Sequence, residues 1–78
     1  MAGKETHPVL VALTHRLKAL RQARQLTLME VLDATNVNVG RVESDRQNVT
    51  VKTLVILCEH YGVTLGELFD GIEKEGDK

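Results

Sequence analysis

Cys58 and His60 are the residues whose types alone suggest a nucleophile or a metal ligand. Two positions apart on a helix, they point in different directions, and no second histidine or acidic cluster is spaced to complete a metal shell. Catalysis, a metal and a cofactor are therefore not expected, and His7 and His15 read as isolated surface residues. The other concentration of hydrogen-bonding side chains is NVNVGRVES, Asn36 to Ser44, in which Arg41 is wedged between a glycine and a valine with asparagines just upstream. Val37 and Val39 alternate with polar neighbours as in a strand, whereas Val39 and Val42 recur at the spacing of a helix face. A strand would need a partner, and neither flank offers another alternating run of comparable quality, so a short helix after a tight turn is expected. That helix carries Val39 and Val42 on one side and Asn38 and Arg41 on the other. Gly40 weakens it by about 1 kcal/mol relative to alanine, which implies close approach of another backbone or surface.

The elements around this segment are legible from caps and periodicity. Residues 1–7 read as a loose polar terminus. Pro8 suits the first turn of a helix, where its missing N–H would be unpaired anyway, and Leu10, Leu13, Leu17 and Leu20 then form an apolar stripe that ends near Arg24 or Gln25. TLME, Thr27 to Glu30, is a capping box for a second helix with Leu28, Val31 and Leu32 as its apolar face, running to about Thr35. Asn36 then tolerates a left-handed turn. Ser44 to Asn48 is polar and reads as a loop. Thr50 caps a fourth helix with Val51, Leu54, Cys58 and Tyr61 at core spacing and Gly62 as its stop. TLGE, Thr64 to Glu67, opens a fifth helix with Leu65, Leu68, Phe69 and Ile72 apolar. Residues 73–78 are a charged tail expected to fray. The expectation is an all-α fold: one five-helix domain over residues 8–72.

The whole chain bounds what such a domain does. Seventy-eight residues make a core only marginally sufficient on its own, so a dimer is expected. The single cysteine excludes an internal disulfide and fits a reducing cytoplasm, and no run of about eighteen apolar residues spans a bilayer. A net charge of −1 argues against an indiscriminate polyanion binder. Charge is nevertheless polarised: Arg16, Lys18, Arg21 and Arg24 lie together without an acid among them, while the C-terminal end is acidic.

The run LRQARQLTLMEVL, followed by VGRVESDRQNVTVKTLVILCEHYGVTLGELF, resembles the phage-repressor-like (XRE, Cro-like) helix-turn-helix family of bacterial and phage transcription regulators. The resemblance covers about Leu17 to Asp70 and rests most on Gly40-Arg41-Val42-Glu43 and on the closing Tyr61-Gly62-Val63-Thr64-Leu65-Gly66-Glu67-Leu68-Phe69, at the family's spacing. The chain departs from the family at four places. The stretch between Val31 and Glu43 is about three residues short, the length of the turn in such motifs. Leu28 stands where the family has a phosphate-holding glutamine. Ser44-Asp45 and Val49 replace the usual arginine-glycine and proline.

The resemblance implies a lambda-repressor-like DNA-binding domain that enters the major groove with Asn36 to Arg41. Asn36 and Asn38 suit adenine, Arg41 suits guanine or phosphate, Gly40 lets the backbone lie close to the DNA, and Val39 touches a thymine methyl if it is not in the core. Arg46, Gln47 and Asn48 in the loop, with Thr50 and Lys52 at the mouth of the fourth helix and Thr27 at the second, are the expected phosphate ligands. Arg16, Lys18, Arg21 and Arg24 add long-range attraction. Each assignment has a plainer rival: asparagines in a short turn often cap, and Arg41 can pair with Glu43 or Asp45. Glu43 is expected to orient Arg24 or Arg41.

The implied partner is double-stranded DNA, bound by a homodimer on a pseudo-palindromic operator in the cytoplasm. Dimerisation would use Val9 to Val11 or the fifth helix around Ile72. With no effector domain expected, regulation would follow operator occupancy, concentration or a partner, including a toxin if the chain is an antitoxin. An adaptor that keeps the fold but has given up DNA is the competing expectation.

Overall fold

The computed structural model describes residues 8–44 and 49–72. The expected loose start, the charged tail and Arg46, Gln47 and Asn48 of the loop lie outside the described residues. Five helices are present among them: α1 Pro8–Ala23, α2 Leu28–Thr35, α3 Val39–Ser44, α4 Val51–Tyr61 and α5 Leu65–Phe69. No strand occurs among the described residues, so the all-α expectation holds.

Each boundary has a chemical cause. After α1, Gln25 takes a left-handed φ of 57° and the Leu26 N–H donates back to the Arg21 carbonyl at 3.2 Å, satisfying a helix-end oxygen without a glycine. The capping box on α2 is complete: the Glu30 N–H donates to Thr27 Oγ1 at 3.1 Å and the Thr27 N–H to Glu30 Oε1 at 2.7 Å. Its twin on α5 joins Thr64 and Glu67 at 3.0 and 2.8 Å. Thr50 caps α4 by accepting from the Thr53 N–H at 3.1 Å, and Gly62 ends that helix at a φ of 78°, where any other side chain would be strained.

Asn36 closes α2 in the left-handed conformation expected of it, its N–H donating to the Leu32 carbonyl at 2.7 Å. Thr35 tightens the same turn, its hydroxyl donating to the Val31 carbonyl and accepting from the Val37 N–H. α2 keeps about two turns over 8 residues, whereas α3 has 6.

The core is aliphatic, as composition implies: Leu13 and Leu17 of α1, Val31, Val39, Leu54, Leu57, Leu68 and Ile72 surround Cys58 and Tyr61. α1 packs on α3 and α5, α2 packs on α3 and α4, and α4 packs on α5. Three expected core assignments are corrected. Val51 is 67 % exposed, because the inward stripe of α4 is Leu54, Leu57, Cys58 and Tyr61 and the first turn stands clear of it. Leu28 and Phe69 are also exposed, so the apolar face of α2 narrows to Val31 and half-buried Leu32, and that of α5 to Leu65 and Leu68. Ile72 is wholly buried, which removes it as a dimer surface.

Candidate nucleic-acid interface

The placement of α3 is set by one ion pair and one valine. Arg21 lies on α1 four residues after Leu17, hence on the buried stripe. Its Nε donates to Glu43 Oε2 at 2.8 Å and its Nη2 to Glu43 Oε1 at 3.1 Å, a two-pronged bond with the side chains only 10 % and 8 % exposed. Nη1 of the same guanidinium donates to the Leu26 carbonyl at 2.8 Å. The hydrogen bond it donates to Glu43 raises the Arg21 pKa above its ordinary value despite the opposing effect of desolvation. Glu43 thus orients Arg21, not Arg24 or Arg41 as expected, and Arg21 is no part of a solvated cationic face. The sequence carried a signal for this, since Arg21 continues the Leu13–Leu17 spacing and Glu43 follows Val39 by four.

The neighbouring arginines also bond to helix ends, although Arg24 stays exposed. Arg24 Nε donates to the Tyr61 carbonyl at the end of α4 and its Nη1 to the Leu20 carbonyl at 3.2 Å. Arg16 reaches across to α5, Nη1 to the Leu68 carbonyl at 3.4 Å and Nη2 to the Asp70 carbonyl at 3.1 Å. These cations sit at the negative ends of the helices they touch. Arg16 and Arg21 of α1, and Arg24 just past its end, are therefore bonded to the rest of the bundle.

Beneath the ion pair, Tyr61 is buried and its hydroxyl has no hydrogen-bond partner among the described residues. Burial, followed by the nearby Glu43 charge, pushes the phenol up to about 12. Replacing Tyr61 by phenylalanine removes an unsatisfied polar atom while keeping the ring, so Tyr61→Phe is expected to stabilise the domain by about 1 kcal/mol in urea denaturation. A loss of stability of that size would mean that the hydroxyl is bonded in solution.

The residues expected to read bases divide. Asn36, Asn38 and Arg41 are exposed. Asn38 caps α3, its Oδ1 accepting from the Arg41 N–H at 3.2 Å and its carbonyl from the Val42 N–H at 3.2 Å. That bond takes one of the two lone pairs of the amide oxygen and orients the side chain, so Asn38 keeps a second acceptor site and its NH2 donors while it caps α3. Val39 is wholly buried, and the thymine contact expected of it is corrected: it is a core residue that fixes α3. The close neighbour of Gly40 is Leu28, whose Cδ1 lies 3.3 Å from the position a Cβ would take.

The expected phosphate ligands divide as well. Thr27 shares its helix end with the Glu30 carboxylate, which already occupies the place an anion would favour. The first turn of α4 carries no acid; there the Thr50 hydroxyl donates to Thr53 Oγ1 at 3.0 Å, and Lys52 is exposed. Among the described residues no group of three or more histidine, cysteine, aspartate or glutamate side chains could hold a metal ion, and no helix is long and apolar enough to cross a membrane.

A capped helix, a tight turn through Asn36, Val37 and Asn38, and a second helix pinned to a third by an ion pair constitute a helix-turn-helix unit. The chain belongs to the helix-turn-helix domain family, whose profile matches residues 12–70. It is similar to the HTH-type transcriptional regulator DdrOP3 of Deinococcus deserti, with 36 % identity over 69 residues, covering 85 % of this chain and 54 % of that protein. The chain thus spans about half the length of that relative. No solved structure matches it.

Proposed function

We propose that the chain is a sequence-specific DNA-binding transcriptional regulator of the cytoplasm, acting as a homodimer on a pseudo-palindromic operator. The observation that carries this reading is that α3 is locked to α1 through Val39 and Glu43 while its polar side, Asn38 and Arg41, faces solvent. In such a unit the second helix enters the major groove, and half-sites lie about 34 Å apart. Exposure and helix-end charge support a narrower set of contacts than the sequence implied. Arg41 is the principal base reader, with Asn36 and the Asn38 NH2 as donors beside it. Phosphate is held at the acid-free start of α4, by backbone N–H groups and Lys52. Phe69, 41 % exposed on α5, is an apolar side chain that helix offers to a second copy.

Electrophoretic titration with random and selected duplexes at several salt concentrations tests the reading. Arg41→Ala is expected to relax preference at one base position by roughly 1–3 kcal/mol, whereas Lys52→Ala weakens all duplexes alike and flattens the salt dependence. Equal, sequence-independent losses in both variants would refute the division between readout and positioning. An adaptor for another protein is the second reading, favoured by the exposed Leu28 and Met29 on the motif's first helix. It predicts no duplex binding at any salt concentration.

A further inference from the structure

Leu28 opens α2, yet it is 45 % exposed while Val31 takes the core position of that helix. Its side chain instead lies over the head of α3. A Cβ on Gly40 would stand 3.3 Å from Leu28 Cδ1, 3.7 Å from Leu28 Cδ2 and 3.6 Å from Asn38 Oδ1. The two leucine methyls therefore crowd the space a side chain at position 40 would need, next to the amide that caps α3 and one residue from exposed Arg41. Asn38 brings its NH2 donors to this arrangement, with its oxygen oriented by the Arg41 N–H.

An apolar spot beside an N–H donor matches one natural base edge. Thymine presents a C5-methyl group next to its O4 acceptor in the major groove; adenine and cytosine present donors there, and guanine presents two acceptors and no methyl. We infer that Leu28, seated over Gly40, is a specificity-determining residue that reads a thymine methyl, with the Asn38 NH2 donating to O4 of the same base. This rests on the DNA-binding reading above and changes its content: the Leu28 methyls beside Asn38 decide for thymine over the adenine that an asparagine amide alone would pair with. Continuity of the apolar spot with Asn38 and Arg41 favours a base as its occupant over a protein side chain.

Deoxyuridine differs from thymidine only by the missing methyl, so it isolates the contact. An operator is first selected from a random duplex pool with the intact chain. Each thymine of it is then replaced singly by deoxyuridine, and binding is measured for the parent and for Leu28→Ala and Gly40→Ala. One thymine per half-site is expected at which uracil weakens the parent about fourfold, the worth of one buried methyl. Leu28→Ala, which alters a half-exposed residue and melts with the parent, binds thymine and uracil equally at that position. Gly40→Ala, which displaces Leu28 without removing it, reduces discrimination at the same position. A tightly bound operator indifferent to uracil throughout, or discrimination that survives Leu28→Ala, overturns the methyl contact alone. Recovery of no duplex from the pool overturns the DNA-binding reading, and this contact with it.

Discussion

Glu43→Gln is expected to destabilise the domain by about 3 kcal/mol, measured by urea denaturation, although the two side chains have nearly the same shape. The substitution removes the charge opposite Arg21 and strands a guanidinium that is largely shielded from water; breaking such a pair on one side costs roughly 3–5 kcal/mol. The lower end applies because the partners keep 10 % and 8 % exposure. The loss measures an uncompensated charge more than the worth of the bond. Replacing both partners, Arg21→Met with Glu43→Leu, is accordingly expected to lose less than half as much as Glu43→Gln alone. If the double variant fell at least as far as the single one, the pair would be a net source of stability. Because Glu43 also fixes the C-terminal half of α3 on α1, Glu43→Gln is expected to weaken operator binding even under conditions where it remains folded.

Leu57→Ala is expected to be the costliest single truncation in α4. The side chain is wholly buried between Leu54 and Tyr61 on the inward stripe, and truncating such a leucine costs roughly 2–5 kcal/mol once the cavity is included. A domain of this size has about 5 kcal/mol or little more to lose, so thermal melting should find Leu57→Ala largely unfolded near 37 °C. Val51→Ala, three residues before Leu54 and in phase with it, is expected to change stability by less than about 0.5 kcal/mol, because Val51 is 67 % exposed. Comparable losses in the two variants would show that the first turn of α4 is covered in solution.

That contrast illustrates what periodicity conveys. Five helices, both capping boxes, the left-handed Asn36 and the Gly62 stop were all legible, because each depends on residues within about four positions of one another. Helical spacing placed Leu54, Cys58 and Tyr61 correctly but could not say where along α4 the bundle ends, so Val51 was included and Leu57 overlooked. Leu28 failed for a related reason: its apolarity implies burial, and only the position of α3 shows that it covers Gly40 instead. Partners distant in sequence were the least legible. Arg21 and Glu43 are 22 residues apart; Arg21 read as part of a basic face and Glu43 as the partner of Arg24 or Arg41, until the packing of α1 on α3 joined them. In the candidate site, the readings of Asn36 and Asn38 as turn and cap residues agree with the structure, while Val39 fell to the core because a six-residue helix must bury one of its few apolar residues to be held at all.

The guanidinium groups committed to helix ends have a kinetic consequence. Arg16 and Arg24 hold the carbonyl ends of α5 and α4, and the chain carries no surplus of positive charge to replace them. On the DNA reading, the grip on any arbitrary stretch of genome is weak, and each mistaken encounter is brief. The regulator then searches by frequent release and re-collision rather than by long one-dimensional excursions, and fidelity falls to the few groups at the head of α3.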